Sequence, residues 1–207
     1  MIRLERTSVM NFENALRGMR NPMNSWDKSD SYYDEKGTFV VGQTDLDLGH
    51  RLATAGSDHR KFLRQIFVSV DITAPLYWWK EFDTYKVGTV ANSTSTMHKI
   101  HAKAFERDDF SHDRMDEGGL ALLDTTIAYL EAERQKFLED KTNRQPWHNM
   151  IQSLPSSYNQ MRTVTLNYEN LINIYYARRS HKLPEWHVFC DWIESLPYAK
   201  EWILVKE

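Results

Sequence analysis

The chain has 207 residues, of which 41% are hydrophobic and 27% charged, and 26 Lys and Arg against 29 Asp and Glu give a formal net charge of -3. This composition is typical of a soluble globular protein, and the lack of a basic run longer than two residues argues against general nucleic-acid binding. The single cysteine, Cys190, excludes an intrachain disulfide and a cysteine-based zinc cluster, and no apolar run approaches the roughly 20 residues of a membrane helix.

Turn-forming residues are sparse along the chain, with 8 glycines and 6 prolines, and no Gly- or Ser-rich linker divides it. The N-terminal residues carry both charges and lack the apolar segment of a signal peptide. We therefore expect one domain over residues 1–207, no membrane association, and a location in the cytoplasm, where a lone cysteine stays reduced.

Apolar side chains in the first part of the chain recur with the periods of helix and strand. Spacings of three and four residues are typical of an amphipathic helix, and strict alternation is typical of a half-buried strand. After Gly42, Thr44 or Asp45 is suited to cap a helix and Gly56 to end it. The predicted elements are a helix over 9–20, a loop over 21–37, a helix over 44–55, a strand over 66–73 and a helix over 75–82.

The second half of the chain is predicted to be mainly helical. A long apolar seam that includes Leu123 and Leu130 indicates a helix from Gly119 to about Lys141. Further helices are predicted to end near Leu154, to span residues 167–179, and to begin at Pro184. The expected fold class is α/β (α+β), a helix-rich subunit with a small central sheet.

Common catalytic motifs are absent from the sequence. There is no P-loop, no dinucleotide-binding glycine turn, no nucleophile elbow and no H-E-x-x-H pair. His98 and His101 stand three residues apart, but exposed polar residues are the preferred interpretation and no metal site is predicted. Cys190 lies in an apolar stripe, which indicates a buried inert thiol.

The segment 154–186, L-P-S-S-Y-N-Q-M-R-T-V-T-L-N-Y-E-N-L-I-N-I-Y-Y-A-R-R-S-H-K-L-P-E-W, resembles the C-terminal half of the flavin-dependent thymidylate synthases. In that family a Leu-Pro turn leads into a helix of the pattern T-x-N-x-x-x-L-x-N-F-x-x-L-R, which H-A-Q-W follows. The matching positions hold Leu154, Pro155, Thr165, Asn167, Asn173, Arg178 and Trp186.

A weaker resemblance runs over residues 59–95. The family carries H-x-x-P-F-E-H before a strand, then a helix that leads to R-H-R and, seven or eight residues later, a serine. Here His59 precedes the predicted strand, Thr84-Tyr85-Lys86 stands in place of R-H-R, and Thr94 or Ser95 takes the serine position. The two stretches together cover about half of the chain.

The resemblance implies a helix-rich α/β subunit of a homotetramer that binds FAD and deoxyuridylate (dUMP). The family reaction moves a one-carbon unit from methylenetetrahydrofolate to the pyrimidine and reduces it through FAD, which NADPH recharges. It needs no cysteine nucleophile, which agrees with a buried Cys190.

The resemblance also implies roles for residues of the matching segment 154–186. Arg178 corresponds to the arginine that holds the nucleotide, and it is the predicted catalytic and substrate-binding residue. Its planar guanidinium can pair bidentately with a phosphate or a pyrimidine edge, although the helix dipole alone favours a cation there. Asn167 and Asn173 are predicted to bind the flavin, and Asn167 is also suited to be an N-cap.

The loop after the predicted helix over 75–82 supplies the other predicted site residues. Lys86, Thr89, Ser93 and Ser95 lie where the family binds flavin and phosphates, and Lys86 and Ser95 are expected to contact the nucleotide as well. A solvated Ser/Thr turn is the alternative interpretation.

Departures from the family pattern leave the function open. Thr84 and Tyr85 replace Arg and His, and each lost charge-assisted contact removes about 1.5–3 kcal/mol of binding. Cations that could compensate are Arg60, Lys61, Arg64, Lys80 and Arg162. The first hypothesis is an FAD-dependent enzyme of pyrimidine deoxynucleotide metabolism. The alternatives are a non-catalytic nucleotide-binding or interaction protein on the same scaffold, and a related enzyme that acts on another pyrimidine.

Overall fold

A computed structural model describes residues 2–205, which group into two compact units. The first unit contains residues 2–3, 72–84 and 92–163, and the second contains residues 4–71, 85–91 and 164–205. The elements in chain order are β1 (Arg3–Met10), α1 (Phe12–Arg20), β2 (Tyr32–Tyr33), β3 (Phe39–Val40), α2 (Gln43–Thr54), β4 (Phe67–Pro75), α3 (Leu76–Phe82), β5 (Val90–Ser93), α4 (Glu117–Glu139), α5 (Gln145–Ser153), β6 (Asn159–Asn167), α6 (Tyr168–Arg178), α7 (Pro184–Glu194) and α8 (Ala199–Trp202).

Four strands form one sheet in the order β1-β4-β6-β5, and β2 pairs with β3 antiparallel. The chain passes from one unit to the other within both β4 and β6. The alternation predicted for β4 is confirmed, since Val68, Val70 and Ile72 are buried while the residues between them are partly exposed. The helix-rich α/β class with a small sheet is thereby confirmed.

The core of the first unit lies between the long α4 and the short α5. Leu123, Leu130 and Phe137 of α4 are buried with Met150 of α5. Asp116 caps α4, because its side chain accepts from the Gly119 N–H at 2.8 Å. The helix predicted from Gly119 therefore begins two residues earlier, at Glu117.

Aromatic side chains dominate the core of the second unit. Trp202 packs edge to face against Phe62, with ring centroids 5.6 Å apart. It also lies against Gly49, where an added Cβ would stand 2.5 Å from the indole nitrogen, so α2 approaches α8 closely only because that position has no side chain. Cys190 is buried as predicted, and burial raises the pKa of its thiol to about 12.

Two predictions about the second unit need correction. Val9 and Met10 belong to β1 rather than to a helix, because Asn11 adopts a left-handed conformation (φ 76°) that separates β1 from α1. The start of α2 is stabilised neither by Thr44 nor by Asp45. Instead the Asp30 carboxylate accepts from both of their backbone N–H groups, at 2.8 and 3.1 Å.

Among residues 2–205, no helix is both long and apolar enough to cross a membrane. Within the same part of the chain, no group of three or more His, Cys, Asp or Glu side chains is placed to hold a metal ion. The prediction of one domain over residues 1–207 stays a prediction.

Candidate functional site

The N-terminus of α6 is held by a reciprocal pair of asparagines. Asn167 Oδ1 accepts from the Asn170 N–H at 3.0 Å, and Asn170 Oδ1 accepts from the Asn167 N–H at 3.1 Å. This is a capping box, in which two otherwise unpaired backbone donors at the helix start are satisfied together. Asn167 therefore has the N-cap role that was one of the two predicted for it, and its side chain is buried.

The same asparagines support the loop over residues 85–91. Asn170 Nδ2 donates to the Val87 carbonyl at 2.7 Å. Gly88 follows in the left-handed region (φ 74°), and a Cβ there would stand 3.0 Å from Asn167 Nδ2 and 3.1 Å from Asn170 Oδ1. Both the backbone conformation and the close approach require glycine at this position.

Two predicted ligands of this loop differ in their surroundings. Lys86 is exposed. Thr89 is half-buried, and its hydroxyl is shielded from water yet has no hydrogen-bond partner among residues 2–205. Because a buried polar atom usually finds a partner, this hydroxyl is available to pair with water or with a polar group of a ligand.

Arg178 lies at the other end of α6 between two aromatic rings. Its guanidinium carbon is 4.7 Å from the Trp186 ring centroid and 5.5 Å from that of Tyr85. Nε donates to the Tyr85 hydroxyl at 2.8 Å. These contacts fix the plane of the guanidinium, and they suit arginine better than lysine because only arginine stacks through a flat cation.

Three of the five cations proposed to compensate for lost family residues are engaged elsewhere. In the second unit, Arg60 and Arg64 both pair with Glu169. Burial raises the pKa of Glu169, but hydrogen bonds from Arg64 and Arg60 outweigh it and lower the pKa below its usual range. In the first unit, Arg162 donates to Asp83 at 2.7 Å.

The other predicted site residues are exposed to solvent. Ser93 and Ser95 are exposed and belong to the first unit, where Ser95 Oγ accepts from the His98 N–H at 2.9 Å. Asn173 is exposed on α6. The second unit thus brings Lys86, Thr89, Asn167 and Arg178 to the loop 85–91 and the two ends of α6.

Three residues of this arrangement were not predicted as site residues. Tyr85 was interpreted as replacing a histidine and Trp186 as a matching position of the family pattern, yet both contact Arg178. Asn170 was overlooked, although its position three residues after an N-cap asparagine is the spacing of a capping box. That spacing is the sequence signal that could have identified it.

Comparison with known proteins supports the fold. No protein-family model and no curated protein matches the sequence. Two crystal structures of thymidylate synthase X (ThyX) from Helicobacter pylori, both with FAD and dUMP, are similar to this chain. One has a TM-score of 0.70 at 18% identity and covers 98% of this chain and 97% of its own. The other has a TM-score of 0.67 at 17% identity, with coverage of 100% and 99%. The chain therefore has the fold of the flavin-dependent thymidylate synthases, as its sequence resemblance implied.

Proposed function

We propose that this chain is an FAD-dependent thymidylate synthase-like enzyme that methylates dUMP or a related pyrimidine deoxynucleotide. Methylenetetrahydrofolate would be the one-carbon donor, NADPH the reductant and a homotetramer the working assembly. The observation that carries the proposal is Arg178, held between Tyr85 and Trp186 on a fold whose similar structures contain FAD and dUMP.

The residues of the loop 85–91 offer polar contacts to a flavin nucleotide. Thr89 offers a shielded hydroxyl without a partner among the described residues, and Lys86 adds a positive charge. Gly88 keeps the loop backbone close to the start of α6, where the helix dipole favours anionic groups. The chemistry that FAD supplies when bound is hydride transfer.

The role of Arg178 in this proposal is to hold and orient the nucleotide. A planar cation can pair with two acceptor atoms at once, on a phosphate or on the carbonyl edge of a pyrimidine. The hydrogen bond from Nε to Tyr85 sets the plane in which that pairing would occur. Stacking on Trp186 lowers the entropy that the side chain loses when a ligand binds.

The second candidate function is a non-catalytic nucleotide-binding or interaction protein on the same scaffold. Its support is the engagement of Arg60 and Arg64 by Glu169, together with Thr84 and Tyr85 in place of the family's Arg and His. Two cations of the matching segment over residues 59–95 are thus already paired within the chain.

A thermal-shift measurement with FAD and dUMP tests the proposal. At 100 times its dissociation constant, a ligand stabilises the folded state by about 2.7 kcal/mol. For a chain of this length that raises the melting temperature by about 5–11 °C. Arg178→Lys should weaken the binding of dUMP by about 10- to 150-fold, because a bidentate charge-assisted contact becomes a single one.

Arg179→Lys is the matched control, since Arg179 is the next residue and stacks on a different ring, that of Tyr176 at 4.9 Å. It should bind dUMP as the unmodified protein does. Colourless protein that gains neither flavin absorbance nor a thermal shift would refute the enzymatic proposal. Binding without growth of a thymidine-requiring strain would instead establish the second candidate function.

A further inference from the structure

A separate cleft of about 820 Å³ opens in the second unit. It lies between the end of β1, the start of α1 and the turn from α7 to α8. Its volume falls within the range of small-molecule sites, which is about 300–1,000 Å³. None of its lining residues belongs to the loop 85–91 or to α6.

Aromatic rings form much of the wall, and hydrogen bonds hold several of them in place. The Tyr198 hydroxyl accepts from the Val41 N–H at 3.2 Å, and Trp192 Nε1 donates to Thr7 Oγ1 at 2.9 Å. Rings fixed in this way lose little freedom when a flat ligand stacks between them. The aromatic lining residues are Phe12, Tyr33, Phe39, Trp192 and Tyr198.

One carboxylate provides the charge of this cleft. Among its lining residues, all of which fall within the described part of the chain, only Glu13 carries a charged side chain. Its Oε2 accepts from the Tyr33 hydroxyl at 2.7 Å, which fixes the carboxylate beside the rings. A fixed carboxylate accepts N–H groups from a ligand and repels an anion.

Residues at the start of α1, from Asn11 to Asn14, also line this cleft. Asn11 does not cap this helix with its side chain, because Nδ2 donates to the Gln65 carbonyl at 2.8 Å and Oδ1 accepts from Asn14 at 2.6 Å. The N–H groups of the first helical turn therefore remain as donors for an oxygen acceptor. Asn11 and Tyr198 both have positive φ, of 76° and 57°, and such strained residues cluster at functional sites.

We propose that this cleft binds a neutral, planar aromatic ligand whose edge carries both a carbonyl and an N–H group, as in a carboxamide or a lactam. The rings contact its faces, Glu13 accepts its N–H, and the first turn of α1 donates to its carbonyl. A phosphorylated nucleotide does not suit this cleft, since no cationic side chain lines it and Glu13 opposes negative charge.

Three aromatic compounds of nearly equal size test separately the need for a carbonyl, for an N–H group and for the absence of negative charge. Benzamide has both the carbonyl and the N–H, benzoate has negative charge and no N–H, and benzamidine is a cation with N–H groups and no carbonyl. Binding is followed by NMR through the indole N–H signal of Trp192, assigned with Trp192→Phe. Benzamide should shift this signal in a saturable way and bind at least about tenfold more tightly than benzoate.

Glu13→Gln keeps an acceptor for Tyr33 but removes the charge, so the preference for benzamide over benzoate should shrink to within about threefold. Trp26→Phe is the control, because Trp26 is half exposed outside this cleft and its exchange should leave all three affinities unchanged. The proposal fails if benzamide leaves the Trp192 signal unshifted, if benzoate binds the unmodified protein as well as benzamide does, or if benzamidine, which lacks the carbonyl, binds Glu13→Gln more tightly than benzamide does. FAD and dUMP binding is independent of all three results.

Discussion

Alanine substitutions at two glycines with the same φ distinguish backbone strain from steric displacement of the capping box. Gly37 and Gly88 both have a φ of 74°. An added Cβ meets nothing within 4 Å at Gly37, whereas at Gly88 it stands 3.0 Å from Asn167 Nδ2 and 3.1 Å from Asn170 Oδ1. Gly37→Ala therefore measures backbone strain alone, and Gly88→Ala adds the displacement of the capping box.

The expected magnitudes follow from these distances. An alanine in the left-handed region costs about 1–2 kcal/mol, and this cost applies to both variants. At Gly88 the asparagine amides must move, and weakening an N-cap costs about 0.5–2 kcal/mol more. The free energy of unfolding should therefore fall by about 1–2 kcal/mol in Gly37→Ala and by about 1.5–4 kcal/mol in Gly88→Ala.

Urea unfolding of both variants measures the difference, and a thermal-shift assay with FAD and dUMP measures its effect on the site. Gly37→Ala should retain the ligand-induced shift that the proposed function predicts. Gly88→Ala should lose most of it, because the loop 85–91 can no longer lie against Asn167 and Asn170. Equal destabilisation of the two variants, within about 0.3 kcal/mol, would refute the inference that the capping box supports this loop.

Three further predictions concern groups outside the loop. Asp45→Asn should lower the free energy of unfolding, measured by urea denaturation, by about 3–5 kcal/mol. The reason is that Arg20 stays buried without the carboxylate that its Nε contacts at 2.6 Å. An effect below about 1 kcal/mol would contradict this reasoning. The hydrogen bond from Arg134, supported by others, lowers the pKa of Glu131 from its usual 4.5 to about 2. The ionised Glu131 carboxylate therefore contributes its full stabilisation above pH 4.5 and loses it as the pH falls toward 2. In Glu131→Gln, the free energy of unfolding should fall less steeply between pH 4.5 and 2 than in the unmodified protein. Cys190, whose pKa burial raises to about 12, should resist iodoacetamide at pH 8 in the native protein and react in urea, and rapid native labelling would disprove its inertness.

Strands were predictable from sequence only where burial alternates. β4 has neighbours on both sides in the sheet, and its inward residues Val68 and Val70 are buried. The outer strands β1 and β5 are mostly exposed, so they carry no apolar alternation and were not predicted. β6 was also missed, because its first half includes Asn159, Gln160 and Arg162, and buried Val164 and Leu166 occupy only its end.

The site was predictable where the signal is local and unpredictable where it depends on distant residues. Asn167 as an N-cap follows from its place at the start of a helical pattern. The contact between Arg178 and Tyr85 joins residues 93 positions apart, and no local pattern indicates it. The hydrogen bonds from Arg60 and Arg64 to Glu169 likewise depend on the fold. They join residues that are more than 100 positions apart in the sequence.

In the sequence resemblance, Tyr85 stands where the family motif has a histidine. Its hydroxyl accepts from Arg178, and its ring forms one wall around that guanidinium. Tyr85→His would remove the phenolic oxygen and replace the ring with a smaller one, so Arg178 would lose its acceptor. Introducing the family's histidine here would therefore also require changes at the residues that now contact Tyr85.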